Sequence, residues 1–429
     1  MIFVCEPNCQ GISHESFNLG TLYGLSLAYP EEEILFYARK SHQKNLLRLQ
    51  EKYHIKFPNI SFYTIRGYLG NDRVHCLWYF ALLYYLVRKA RKKNARAFYL
   101  LATTQFQQRA LKDLAAKPEN KSIIFAMNMH GEFDRLAYPH FEVTQFPFLR
   151  TDQKGFLEKI CAHRKDLLRL VFSHIQKGII NSWEKILQVV FPAPKYDLRE
   201  TMCRKNGANV RYVALSDHIV KTLPKYISTE GIHICALPLP AIYEPLKEPI
   251  KNKMLRVAVF GYGHSAMLYR LNVALQGESI KEEYEIRVIG MDGRGTEDFP
   301  RVTWPIRRVL NREEMEQLAE DIDMFLILYE KERYVLSCSG SIIEAHRYGK
   351  PILYLENPCI DAFNDKNHPI GIRCTDVKDM AKKMKRIIEE YPAFEKELAA
   401  FRQNIIKQRE KLDIRNNLDR IRKIIDVAN

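Results

Sequence analysis

At 429 residues the chain exceeds what one hydrophobic core ordinarily supports, so two domains are expected. Its composition, 46% hydrophobic and 27% charged, is that of a globular protein, and its longest apolar run (77–87) is too short for a membrane span, which needs about 20 residues. Lys and Arg number 66 against 51 Asp and Glu; the formal charge of +15 favours anionic partners (nucleic acid, phosphorylated small molecules or an acidic membrane face) without choosing among them.

In chain order, the N-terminus MIFVCEP lacks the basic region and apolar core of a signal peptide. The nine cysteines form no CxxC pair, and Cys5, Cys9 and His14 lack a fourth ligand at zinc spacing, so reduced thiols and a cytoplasmic protein are expected. Short apolar runs at 2–5, 33–37, 60–64, 97–101 and 122–126 read as strands, with helices at 41–53 and 104–116 between them. Continuous apolar strands alternating with helices predict a parallel sheet covered on both faces. The run 77–87, followed by Arg88 to Lys93 (RKARKK), reads as a buried helix with a basic end that is either solvated or touches anionic lipid.

The strand at 122–126 leads into MNMHGE. His130 therefore falls just past the end of a central strand, beside Gly131 and Glu132, where an α/β protein places polar contacts to a substrate. From 156 to 191 the rhythm becomes helical and basic, which predicts an inserted helical pair packed on the first domain or docked on a membrane or acceptor. Strands resume at 210–215 and 232–236. Four prolines within 237–249 then mark a semi-rigid connector and the best domain boundary.

The second half repeats the alternation, with strands expected at 255–260, 284–289, 324–328 and 351–355 and helices at 312–319 and 377–390, the last punctuated by Pro392. After its first strand comes FGYGHSAM. Gly261 and Gly263 permit a tight turn before a helix, yet the motif lacks the third glycine of a dinucleotide fingerprint and the Lys-Ser/Thr of a P-loop. Further on, YVLSCSGSIIEAHRYGKPI turns from a polar loop into a helix. Ser339, Gly340 and Ser341 can cradle a phosphate, but Ser341 and Glu344 also fit a capping box that needs no ligand.

These motifs, in their order, resemble those of the GT-B glycosyltransferases, in particular the retaining family-4 enzymes. His130-Gly131 resembles the family's first-domain histidine, VALSD (213–217) its strand ending in Ser-Asp/Glu, and HICALPLP with Pro245 its interdomain connector. Val288-Ile-Gly290 and Glu344-Ala345 with Gly349-Lys350-Pro351 resemble its donor-domain motifs. The resemblance implies an α/β fold of two Rossmann-like domains facing a cleft. These are an acceptor domain at 1–245 with a helical insertion near 152–200, a donor domain at 250–395, and a C-terminal helical segment at 396–429.

It further implies a nucleotide-sugar donor. Glu344 would bind ribose hydroxyls, while Ser339, Gly340, Ser341, Gly261 and Gly263, with His264 or Arg270, would meet the diphosphate. His130 and Glu132 would stand on the catalytic side. No metal or cofactor is implied, and no nucleic-acid partner. The acceptor would be a glycan, glycolipid or surface polysaccharide, at the cytoplasmic face of an anionic membrane. One departure is marked: the family's E-x7-E pattern has Leu336 in place of its first glutamate. Alternatives from other classes are a nucleotide-sugar 2-epimerase, whose S-G-x-x-x-E and G-K-P segments are similar, and a non-catalytic polyanion-binding module.

Overall fold

The structure is a computed structural model that describes residues 1–66, 72–138, 197–204, 206–260, 265–290, 299–305 and 310–426. It holds two sheets in which every strand pairing is parallel. The first runs β3-β2-β1-β4-β5-β6-β7, from β1 Ile2–Glu6, β2 Ile34–Ala38, β3 Ile60–Thr64, β4 Ala97–Leu100, β5 Ile124–Asn128, β6 Val210–Ala214 and β7 Ile234–Ala236. The second runs β10-β9-β8-β11-β12-β13, from β8 Leu255–Phe260, β9 Tyr284–Ile289, β10 Val302–Thr303, β11 Met324–Ile327, β12 Ile352–Leu355 and β13 Gly371–Cys374.

The apolar runs form these strands because both faces of each sheet are covered. Successive residues of β1 enter opposite cores: Phe3 and Cys5 join Leu35, Phe98 and Phe125, whereas Ile2 and Val4 join Phe36, Tyr99 and Ala126. The expected strands at 60–64, 255–260 and 284–289 coincide with β3, β8 and β9, and the others shift by a residue or two. The two edge strands β10 and β13 have no counterpart among the expected strands.

Seven helices bear on the site and on the joining of the domains: α1 Glu15–Ala28, α2 Lys40–Lys52, α3 Asp72–Lys92, α4 Arg312–Ala319, α5 Gly340–Tyr348, α6 Tyr391–Leu412 and α7 Leu418–Ile425. Pro392 does more than punctuate. The preceding helix, Val377–Glu389, ends, and Pro392 lies in the first turn of α6, where its missing N–H has no intrahelical partner to lose.

Among the described residues the chain crosses between the sheets twice. The proline-rich connector carries it forward, and α6 and α7 carry it back. Phe394 and Phe401 of α6 enter the second domain's core; Ile421, Ile424 and Ile425 of α7 join Leu22 and Leu25 in the first. The two crossings are fastened together: Asp413 accepts from Tyr243 N at 3.1 Å and from Arg415 at 2.7 Å. Helix α1 lies hard against the connector. A Cβ on Gly20 would stand 2.3 Å from the Pro240 carbonyl oxygen, so only glycine allows this approach. The expected insertion near 152–200 lies outside the described residues, apart from the start of the helix Leu198–Cys203. Among the described residues no helix is long and apolar enough to cross a membrane.

Candidate functional site

On the second domain, the polar turn before α5 is built on side-chain hydrogen bonds. Ser339 is the N-cap, and its Oγ accepts from Ser341 N at 3.1 Å. The Tyr329 hydroxyl bonds Ser339 Oγ at 2.6 Å and donates to Ser341 Oγ at 2.9 Å. Ser341 Oγ in turn donates to Phe260 O, which ties the start of α5 to the carboxyl end of β8. Gly340 is exposed, with open space where a side chain would stand. The helix stops at Gly349, in the left-handed conformation that closes a helix at least cost in glycine.

Of the two roles open to Glu344, the capping box is not formed. The cap lies two residues before Ser341, and the Glu344 carboxylate is engaged elsewhere. Its Oε2 lies 2.6 Å from Arg312 Nη1 and 3.3 Å from Arg347 Nε. Burial acts to raise its pKa, but the two guanidinium groups outweigh it and hold the carboxyl below its usual range. Arg312, at the start of α4, also reaches the first domain. Its Nε meets Glu15 Oε1 at 3.1 Å and its Nη2 donates to Ser16 Oγ at 2.8 Å. Arg347 Nη1 donates to Tyr53 OH at 2.8 Å. Glu344 therefore sits in an ion network that joins the two domains.

On the first domain, β1 ends at Glu6, which is wholly buried. Its carboxyl accepts from Asn8 N at 2.9 Å and Cys9 N at 3.1 Å, and burial pushes it up to about 7. The loop after it is fastened on all sides. Pro7 O accepts from Arg39 Nε and Tyr79 OH, and His42 Nδ1 donates to Gly11 O at 3.0 Å. The loop ends at His14, held at φ 50°, a strained conformation for a residue with a side chain. The His14 ring stacks on His130 with centroids 4.4 Å apart, and Phe17 meets His130 edge-on at 4.5 Å.

His130 Nε2 lies 2.8 Å from Leu101 O. A carbonyl only accepts, so Nε2 carries the proton and Nδ1 is the basic nitrogen. Burial lowers His130 to about 4 and His14 well below its ordinary value, so both rings are neutral near pH 7. Glu132 pairs with Arg135 at 3.0 Å, and burial raises its carboxyl. Two residues on, Asp134 accepts from Leu336 N at 2.6 Å and from Ser337 Oγ. That contact brings the His130 side of the first domain up to the loop that becomes the Ser339 turn.

The sequence-predicted residues thus fall into two facing groups, His130 with Glu132, and Ser339, Gly340, Ser341 and Glu344. Arg270 joins neither among the described residues: it is exposed and its Nη1 meets Met267 Sδ. Gly261, Gly263 and His264 lie outside the described residues. Sequence reasoning weighed His14 as a member of an incomplete zinc set, without its His130 partner, and missed Glu6, Asp134 and Arg312. A glutamate closing the apolar run of β1 was a legible sign; the stacking of His14 on a ring 116 positions away had none. Leu336, which stands where the resemblance expects a glutamate, is wholly buried and joins Met129, Phe133 and Leu136 in the first domain's core. Among the described residues no group of three or more His, Cys, Asp or Glu side chains is placed to hold a metal ion.

No family model matches the chain, and no curated protein matches it. Solved structures do. A glycosyltransferase from Rickettsia africae superposes with a TM-score of 0.57 at 10% identity, covering 100% of this chain and 99% of that one. HepE from Anabaena, in complex with UDP, gives 0.55 at 11%, covering 98% of each chain. The lipopolysaccharide outer core galactosyltransferase WaaB, in its apo form, gives 0.54 at 13%, covering 99% of this chain and 98% of that one. At these identities the likeness is one of fold, and it spans both sheets: this chain has the two-domain α/β architecture of the GT-B glycosyltransferases.

Proposed function

We propose that the chain is a glycosyltransferase that passes a sugar from a nucleotide-sugar donor to a hydroxyl of a glycan, glycolipid or surface-polysaccharide acceptor, in the cytoplasm and without a metal. The observation that carries this reading is the pairing of two unlike groups across the domain boundary. An ionised carboxylate, Glu344, stands one turn into a serine-capped helix, and a stack of two neutral imidazoles, His14 and His130, stands on the other domain.

Each group suits one part of the reaction. A carboxylate accepts two hydrogen bonds from a vicinal diol, which fits Glu344 to a ribose. The positive end of the α5 dipole, beside the open space at Gly340, favours a diphosphate and the charge it gains as it leaves. A neutral imidazole orients the acceptor hydroxyl; as the new C–O bond forms and the sugar–phosphate bond breaks on the same face, the hydroxyl proton passes to the leaving diphosphate. His14 and His130 meet the condition of being neutral at working pH. Retention of configuration accords with the resemblance to the family-4 enzymes.

The test is incubation with a panel of nucleotide sugars, uridine nucleotides first because the Anabaena neighbour holds UDP. The expected result is release of nucleoside diphosphate that rises when a glycan acceptor is added. Conversion of the donor to an epimer with no acceptor present would replace this reading by the epimerase.

A further inference from the structure

Among the described residues, helix α3 has one face that is left exposed. Its inward side, with Tyr79, Leu83, Leu86 and Val87, is buried on the first sheet. Along the outward side, positions 78, 81, 85, 88 and 92 recur at helical spacing and all are exposed. Its first half carries Trp78, 41% exposed, and Tyr85, 59%, while Phe80 and Tyr84, each 44% exposed, flank it on one side of the helix. The last two turns are cationic, with Arg88 and Lys92 both exposed. Lys117 from a neighbouring segment adds its ammonium group over the Tyr84 ring at 5.1 Å.

The face is tied to the candidate site. Trp78 Nε1 donates to Arg66 O, just beyond the carboxyl end of β3, so the aromatic half lies at the end of the sheet that faces the other domain. One residue on, Tyr79 points inward and donates to Pro7 O, the start of the loop that carries His14. The same helical turn therefore shows aromatic rings to the outside and holds the site loop from within.

We infer that this face of α3 docks on an anionic lipid bilayer and brings the site loop to its surface. Tyr and Trp favour the headgroup level, where a ring is half wet, and cations at the far end of the same face meet acidic headgroups. The chemistry favours a bilayer over a second copy of the chain, because two copies of a cationic face repel. The helix lies on the bilayer and does not span it.

The test is co-sedimentation of the full chain with vesicles made of equal parts phosphatidylglycerol and phosphatidylcholine, or of phosphatidylcholine alone. The chain is expected to pellet with the first and not with the second. Arg88→Ala with Lys92→Ala should cut partitioning roughly 25-fold, at about fivefold per cation. Trp78→Ser with Tyr85→Ser should cut it by about fivefold or more with the charge unchanged. Variants that pellet as the parent does overturn the inference, as does a concentration-dependent dimer that Tyr85→Ser dissolves. If the aromatic pair lowers the melting temperature, the cationic pair alone decides. No donor is present in this assay, so its failure leaves the transfer reading standing, and failure of donor binding leaves this surface standing.

Discussion

Burial moves Glu6 up to about 7 and His130 down to about 4, and the two shifts act on stability with opposite sign. A carboxyl whose folded pKa exceeds its unfolded value of 4.5 stabilises the fold most at low pH, and that contribution is lost as pH rises through 7. An imidazole whose folded pKa lies below its unfolded value of 6.5 contributes above 6.5 and loses that contribution as pH falls toward 4. Glu6→Gln keeps an acceptor for Asn8 N and Cys9 N but cannot ionise. It should stabilise the chain by up to about 3 kcal/mol at about pH 8 and have little effect at about pH 5 in denaturant unfolding. An equal effect at both values would mean that Glu6 is ionised in the folded chain throughout.

At the scale of elements, the segment between β11 and α5 has two duties. Asp134 anchors its backbone and Leu336 buries its side chain in the first domain's core, so the Ser339 turn is presented from a fixed loop. Leu336→Glu, which would introduce the glutamate that the sequence resemblance expects there, places a charge in an apolar cluster. It should cost about 3 kcal/mol or more and restore nothing, and Leu336→Ala about 2–5 kcal/mol, read from unfolding curves. A stable Leu336→Glu variant with tighter donor binding would show instead that the position belongs to the site. The central strands were legible because burial on both faces leaves a continuous apolar run. The edge strands β10 and β13 were not, since two and four residues with mixed polarity carry no such signal. Of the site, Glu344 and the Ser339 turn could be read from local motif. Their partners could not: Glu15 is 297 positions from Arg312, and sequence separation hides a contact that only the fold creates.

At the scale of the whole molecule, the two sheets are joined by a connector, by the returning α6 and α7, and by ion pairs that include Arg48 with Glu313 and Lys52 with Glu316. Glu344 belongs to that network, so loss of its carboxylate disturbs the domain boundary as well as any ligand. A comparison separates the two effects. Glu15→Gln weakens the Arg312 network from the first domain and leaves Glu344 in place. The decisive measurement is the affinity of UDP, and of other nucleoside diphosphates, for the parent, Glu344→Gln and Glu15→Gln by titration calorimetry. The account predicts a loss of roughly tenfold or more at Glu344, as for a charged hydrogen-bonding partner of a ligand, and less than about threefold at Glu15. Equal losses in both variants, or undiminished affinity in Glu344→Gln, would contradict it.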